Sequence, residues 1–132
     1  EVQYAVEAAK VLEAEGVGVR VVSMPSMDWF MEQDDDYIDS ILPRDVQARV
    51  SIEAATSMPW FRFLGTHGRA VSLEHFGASA PGEELFERFG FTTDNVVRIA
   101  RETLECAREN RTVATSERVG ATESEPTRGD GR

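Results

Sequence analysis

Apolar residues near the start of the chain recur first at helical spacing and then in a strand-like run. The pattern predicts a helix over Val2 to Ala14, with Gly16 as its C-terminal stop. Val17 to Met24 is rich in β-branched residues and ends at Pro25, which predicts a buried strand. A helix followed at once by such a strand indicates an α/β unit with a largely parallel sheet. The apolar face of the first helix carries Val2, Ala5, Val6, Ala9 and Leu12.

The middle of the chain predicts two more strands with a short apolar segment between them. Ala48 to Ala54 alternates in the strand manner, and Ala70 to Glu74 is a further strand candidate. Met58 to Leu64 has the composition of a short helical or irregular segment. Gly65 and Gly68 then bracket a predicted turn.

Polar residues after the first predicted strand indicate short helical pieces. Ser26 is suited to cap a helix in which Asp28 lies near the positive end of the dipole. The acidic stretch from Asp34 to Asp36 is expected to interrupt that helix. Tyr37 to Leu42 is expected to form another turn.

Two helices are predicted towards the end of the apolar part of the chain. Glu83 and Glu84 suit the first turn of one helix, and Gly90 ends it. Thr92 or Thr93 caps the other helix, which has the clearest periodicity in the chain. Its apolar stripe consists of Val96, Ile99, Ala100, Thr103, Leu104 and Ala107.

The composition changes after about residue 109. Asn110 to Arg132 has no aromatic residue, and its large aliphatic residues are Val113 and Val119. So polar a segment buries too little apolar surface to offset the entropy lost on ordering. We therefore expect one domain over residues 1–109 and a disordered polar tail over residues 110–132.

Charge and composition exclude several classes of protein. The net charge of −10 disfavours binding to nucleic acid, and the chain has no basic run that would overcome it. No apolar run approaches the ~18 residues that a membrane helix needs. The single cysteine, Cys106, rules out an internal disulfide and is compatible with a cytoplasmic location.

Two residues are candidates for a ligand cleft. His67 stands between a threonine and Gly68, where small neighbours allow a ligand to approach the backbone closely. No cysteine or second histidine stands at zinc-site spacing beside it, so an exposed turn histidine is the favoured interpretation. Glu53 lies where a strand ends, a common place for functional acids in α/β folds. It is equally suited to accept hydrogen bonds from a neighbouring loop.

Other chemical patterns have simpler structural explanations. Ser79 resembles the nucleophile of a G-x-S-x-G motif, but Pro81 replaces the last glycine and both histidines precede the serine. Helix capping explains Ser79 better, with a weak anion-binding alternative at the same helix start. The acids between Glu32 and Asp39 lack the glycine of a calcium loop and indicate a solvated loop. The residues alone therefore give an α/β domain with no catalytic, cofactor-binding or metal residues that we can name.

A longer run of residues resembles a known family. Phe76 to Thr92 is similar to the signature near the end of transketolases, FG-x-SAP-x-x-x-L-x-x-x-FG-x-T. Val19 to Pro25 resembles a strand and turn of that family, and Arg49 to Ala54 followed by Trp60 resembles its next strand. The resemblance to the transketolase C-terminal domain covers about residues 1–108.

The resemblance implies a three-layer α/β/α fold with a mixed, mostly parallel sheet whose first strand is missing from this chain. It also implies a part of a homodimeric enzyme that transfers a two-carbon ketol unit between sugar phosphates in the pentose phosphate pathway. Thiamine diphosphate and Mg²⁺ (or Ca²⁺) would bind outside this chain, which by itself is expected to be inactive. Its partners would be the remainder of the transketolase chain and the second subunit, with no nucleic acid and no membrane.

Two alternatives to a truncated enzyme remain open at this point. The chain is also compatible with a separately encoded interaction module that pairs with a thiamine-diphosphate-binding subunit. It is compatible as well with a regulatory domain that binds an anion at the Ser79 helix start.

Overall fold

The computed structural model describes residues 1–73 and 82–122, and all structural statements below concern these two ranges. Six α-helices, a 3₁₀ turn and two strands follow one another in this part of the chain. In chain order they are α1 (Val2–Ala14), α2 (Met27–Met31), α3 (Asp35–Ile41), β1 (Val50–Glu53), the 3₁₀ turn (Met58–Trp60), α4 (Phe61–Leu64), β2 (Arg69–Ser72), α5 (Gly82–Arg88) and α6 (Thr93–Thr122).

Helix α1 has the bounds that its apolar periodicity predicts. Ala8, Ala9 and Leu12 are its buried residues, because they lie on the face that packs against α6 and the core. Gly16 has a φ of +84°, a left-handed conformation that glycine adopts without steric penalty. The predicted stop of the helix is therefore confirmed.

Strands β1 and β2 form a parallel pair. Their register aligns Val50 with Arg69 and Glu53 with Ser72. β1 falls within its predicted segment, β2 begins one residue before its predicted segment, and their direction confirms a parallel α/β arrangement. The connection between them holds the 3₁₀ turn and α4, which fits the segment predicted to be short and helical or irregular.

The prediction of a third strand over Val17 to Met24 is wrong. The segment is described, but it belongs to no helix or strand. Val17 and Val19 still pack against the core, whereas Gly18 and Arg20 are exposed, so the strand-like alternation of burial is present. The segment lacks the backbone hydrogen bonds of a sheet, because no strand within the described residues lies beside it to form them.

The acidic stretch interrupts the helix that Ser26 caps, as predicted, and it also starts the next helix. Ser26 caps α2 as expected, its hydroxyl accepting a hydrogen bond from the Trp29 backbone N–H. Asp34 caps α3, its carboxylate accepting from the Tyr37 backbone N–H at 2.8 Å. Asp35 and Asp36 then occupy the first turn of α3, where negative charge complements the helix dipole.

The core lies where α1, α6 and the parallel strands meet. Phe91, just before α6, is fully buried, and its ring makes an edge contact with Phe86 of α5. Thr92 caps α6 by accepting from the Asn95 backbone N–H at 3.2 Å. The buried apolar cluster consists of Ala8, Leu12, Val71, Phe91, Val96 and Val97.

Helix α6 continues beyond the residue where the sequence predicts the tail to begin. Its backbone is helical as far as Thr122, and the disordered tail over residues 110–132 stays a prediction. Residue preference alone does not explain this length, because the Ala, Arg and Glu in residues 110–122 are outnumbered by Asn, Thr, Val, Ser and Gly, which favour helix less. Residues 123–132 lie outside the described residues, and the domain boundary at residue 109 stays a prediction.

Candidate functional site

His67 is held by a turn whose shape depends on two glycines. Gly65 follows α4 with a φ of +67°, in the region that favours glycine. A Cβ atom at Gly68 would clash with the carbonyl oxygen of Leu64, so a larger residue would force the backbone to shift. The turn predicted from the sequence is therefore confirmed, and it places His67 two residues before the start of β2.

Helix α6 brings Cys106 to this histidine. The Cys106 Sγ atom lies 3.9 Å from His67 Nδ1, and both residues are half-buried. Asn110, one helical turn later, donates to the Cys106 carbonyl at 2.8 Å and lies 3.7 Å from its sulfur. A cavity of about 400 Å³ opens beside His67, with Asp45, Gln47 and Arg111 also on its wall. Imidazole, amide and guanidinium groups could bind a small polar molecule there.

The contact between Cys106 and His67 is not predicted from the sequence. The two residues are 39 positions apart, so local spacing gives no signal. The helical stripe offers one, because Cys106 stands seven residues after Ile99 and three after Thr103, on the side of α6 that faces the core.

The two predicted cleft residues, Glu53 and His67, lie apart in the structure. Glu53 ends β1 and is aligned with Ser72, so it lies at the carboxyl edge of the parallel pair. His67 precedes β2 and therefore lies at the opposite, amino-terminal edge. Ser79 lies outside the described residues, and so does its proposed helix-capping role.

The described residues do not provide a metal centre. In residues 1–73 and 82–122, no group of three or more His, Cys, Asp or Glu side chains stands close enough to hold an ion. Across the same residues, no helix has the length and apolar character needed to cross a membrane.

A chain of aromatic contacts links α2, α3 and α4. The Phe30 ring lies 6.3 Å from that of Tyr37 and 5.9 Å from that of Phe63, measured between centroids. Trp60 makes an edge contact with Phe63 at 6.2 Å. Such aromatic pairs stabilise packing beyond the apolar area that they bury. They join two parts of the chain that the sequence argument treated separately.

Large apolar side chains on these same elements face solvent. Trp29 and Met58 are each 74% exposed, and Phe61 is 61% exposed. Met31 at the end of α2 is also exposed. We call these four residues, Trp29, Met31, Met58 and Phe61, the α2–α4 surface. The structure thus places Trp29 and Met58 outside the core.

A second cavity of about 720 Å³ lies beside Trp29. Trp29, Phe30 and Tyr37 lie on one side of it, and the extended segment from Arg20 to Ser26 lies on the other. The Arg20 guanidinium donates to the carbonyls of Ser40 and Ile41 at 2.6 and 3.0 Å, which ties that segment to the end of α3. The cavity thus has a fixed wall and an apolar rim.

Known proteins resemble most of the chain. Residues 1–92 match the family model described as the transketolase-like C-terminal domain. The chain is 53% identical over 104 residues to transketolase 2 of Vibrio parahaemolyticus and 51% identical over 104 residues to transketolase 2 of Pasteurella multocida. In each case the alignment covers 79% of this chain and 16% of the relative, so the chain spans about a sixth of the length of these proteins.

Solved structures agree with the sequence comparison. Transketolase from Leishmania mexicana superposes with a TM-score of 0.71 at 42% identity, over 82% of this chain and 15% of that one. A transketolase variant from Pichia stipitis gives a TM-score of 0.74 at 34% identity, over 83% and 16% of the two chains. The chain therefore belongs to the transketolase family and corresponds to the C-terminal domain of its members.

Proposed function

We propose that this chain is the C-terminal structural and assembly domain of a transketolase. In its intact form the enzyme transfers a two-carbon ketol unit between sugar phosphates, and this domain supports that assembly without taking part in the chemistry. The observation that carries the proposal is the family match over residues 1–92, combined with alignments that cover only 16% of the relatives.

The chemistry is assigned to the rest of the enzyme because the described residues do not fit its cofactors. Thiamine diphosphate in such an enzyme needs a divalent cation to hold its diphosphate, and this part of the chain lacks a carboxylate cluster for one. Glu53 and His67, the two described candidates, lie at opposite edges of the parallel pair. We therefore place the reacting groups outside this chain.

The proposal includes a larger sheet than the two strands described. The Ala54 backbone N–H, just beyond β1, donates to the Glu1 carboxylate at 3.1 Å, so the start of α1 lies beside the carboxyl end of β1. In a βαβ unit a helix begins at that end of the preceding strand. A parallel strand placed before α1 would supply the first strand of the family's sheet.

The same proposal assigns the chain a cytoplasmic location and a homodimeric parent enzyme. Its partners would be the remainder of the transketolase polypeptide and the second subunit. The alternative of a separately encoded module remains compatible with the same family match, so the test must separate the two.

The size of the native polypeptide is the measurement that separates them. The protein is captured from its source cells, its mass is determined and its peptides are sequenced. A polypeptide several times longer, with thiamine-site segments ahead of Glu1 and ketol transfer dependent on thiamine diphosphate and Mg²⁺, is the expected result. A native polypeptide of about this size would contradict it and favour the separate module. Ketol transfer by the isolated chain with both cofactors supplied would contradict our placement of the reacting groups.

A further inference from the structure

The wall of the cavity beside His67 comes from three separate parts of the chain. Asp45 and Gln47 lie in the loop before β1, His67 lies in the turn before β2, and Asn110 and Arg111 lie on α6. The volume of about 400 Å³ is within the range of roughly 300–1,000 Å³ that small-molecule sites occupy. Such sites orient a ligand with a few polar side chains that converge from different elements.

Hydrogen bonds hold the loop of this wall in place. The Gln47 side-chain amide donates to the Arg44 carbonyl. The Arg49 guanidinium donates to the Val46 carbonyl at 2.9 Å. A second bond from Arg49, to the Phe63 carbonyl at 2.7 Å, joins the loop to α4, which leads into the turn before β2. Because the loop and the turn are joined before a ligand arrives, binding loses less conformational entropy.

The side chains of the wall supply both hydrogen-bond donors and acceptors. His67 Nδ1 lies 3.9 Å from the Cys106 sulfur, so Nε2 is the ring nitrogen that remains for a ligand. The Arg111 guanidinium has several N–H donors in a planar fork, so it can bind an oxyanion and still contact a neighbour. The Asn110 amide nitrogen is directed at the Cys106 carbonyl and sulfur, which leaves Oδ1 as an acceptor. The Asp45 carboxylate is a second acceptor.

Local charge favours an anion over a cation, although the chain as a whole carries a net charge of −10. Arg111 is positive and Asp45 is negative, and Arg49 adds a positive charge directly behind the loop. In residues 1–73 and 82–122, Arg49 bonds to carbonyl oxygens and has no carboxylate within ion-pair distance. Its charge is therefore not neutralised there, and a positive field beside a concave surface attracts anions.

We propose that this cavity binds a small organic oxyanion, a molecule that carries a phosphate or carboxylate group beside hydroxyl groups. Arg111 and His67 donate to the anionic group, and Asp45 and Asn110 accept from the hydroxyls. The proposal uses only residues of this chain, so it does not depend on whether the chain is part of a longer enzyme.

Hydrogen–deuterium exchange of the native polypeptide, read by mass spectrometry, locates binding to this cavity. Glycerol 3-phosphate is the phosphate probe, glycerate is the carboxylate probe, and glycerol is the neutral control. We expect at least one of the two oxyanions to slow exchange in the peptides that cover residues 45–47, 65–69 and 107–111. Glycerol should leave these peptides unchanged, because it lacks the anionic group. The oxyanion that acts at the lower concentration identifies the group that the cavity prefers.

Two arginine variants test whether the cavity itself is responsible. Arg111→Gln should raise the probe concentration for half-maximal slowing about tenfold or more, because a charge-assisted bond is lost. Arg108→Gln is the matched control, since it removes the same charge from an exposed position on α6 that is not on the cavity wall. This control should leave the half-maximal concentration nearly unchanged. Unchanged exchange in the peptides of α1 shows that each variant keeps the fold.

Three results would overturn the oxyanion site. The first is the absence of slowing in these peptides with either oxyanion, and the second is equal slowing by glycerol. The third is an equal loss of affinity in Arg111→Gln and Arg108→Gln, which would mean that the probes respond to overall charge. The mass of the native polypeptide and its ketol-transfer activity report on the proposed function independently of these results.

Discussion

The guanidinium of Arg49 donates a hydrogen bond from Nη1 to the backbone carbonyl of Phe63, 2.7 Å away. The same side chain bonds to the carbonyls of Val46 and Pro43 at 2.9 and 2.8 Å, and more weakly to that of Leu42 at 3.3 Å. Arg49 precedes β1 directly, so one planar group joins the start of the sheet, the loop after α3 and the end of α4.

Replacing Arg49 by lysine should destabilise the domain by about 1–3 kcal/mol, because one ammonium cannot satisfy four carbonyls in a plane. Urea denaturation monitored by circular dichroism measures this change. Arg44→Lys is the matched control, since Arg44 forms an exposed ion pair with Asp39 and should shift the free energy of unfolding by less than about 0.5 kcal/mol. Equal effects of the two substitutions would contradict the role assigned to Arg49.

The sequence predicts the local elements of this fold better than its long-range contacts. The bounds of α1 and the positions of β1 and β2 follow from apolar periodicity, and the caps at Ser26 and Thr92 follow from residue type. Val17 to Met24 can pair in a sheet only if another strand lies beside it. The residue preferences within the segment carry no information about such a neighbour. Local spacing likewise gives no sign that Arg49 reaches Phe63.

The candidate site was predictable only in part, for the same reason. The two glycines around His67 mark the turn, but its contact with Cys106 arises from the packing of α6 near β2. The exposure of the residues in the α2–α4 surface cannot be predicted from the sequence either. The spacing of apolar residues in a helix does not distinguish a buried tryptophan from an exposed one. Trp29 and Phe30 are adjacent, yet Trp29 is exposed and Phe30 makes ring contacts on both sides.

Ser51 is a polar residue whose replacement should improve stability. It lies in β1 and is 6% exposed, and its hydroxyl has no hydrogen-bond partner within the described part of the chain. A buried hydroxyl without a partner keeps its desolvation cost, so Ser51→Ala should leave stability unchanged or raise it by up to about 1 kcal/mol. Thermal and urea unfolding of the variant measure the change.

Thr103→Val provides the matched control for Ser51. Thr103 is fully buried, and its hydroxyl donates to the Ile99 carbonyl at 2.7 Å. Valine has nearly the same shape as threonine but lacks the hydroxyl and its hydrogen bond. The substitution should therefore lower the free energy of unfolding by about 1 kcal/mol. A loss of similar size in Ser51→Ala would show that its hydroxyl is bonded after all.

The ion pair between Glu15 and Arg101 should make the packing of α1 on α6 depend on pH. Arg101 Nε donates to Glu15 Oε2 at 3.1 Å, with a second bond through Nη2 to Oε1. The hydrogen bond from Arg101 lowers the pKa of Glu15 below its ordinary value of 4.5, and their charge attraction adds to this. Because the folded pKa is the lower one, the pair contributes its stability above pH 4.5 and loses it as pH falls through the folded pKa.

A double-mutant cycle with Glu15→Gln and Arg101→Gln isolates this pair. The coupling free energy should be small but measurable at neutral pH and low salt, because both side chains are partly exposed. It should decrease as the pH falls below 4.5 towards the lowered folded pKa of Glu15. A coupling that stayed constant as the pH falls below 4.5 would contradict a lowered Glu15 pKa.

Gly68 should be the glycine least tolerant of substitution in its turn. A Cβ atom there would meet the Leu64 carbonyl oxygen at 2.3 Å and the Leu64 Cβ atom at 2.6 Å, so the end of α4 or the start of β2 would have to shift. Forcing atoms into such a packed position typically costs about 1–3 kcal/mol, and we expect Gly68→Ala to lose that much in urea denaturation. Gly18→Ala is the matched control, because an added Cβ has no heavy atom within 4 Å there. Equal stability of the two variants would mean that the turn holding His67 is free to relax.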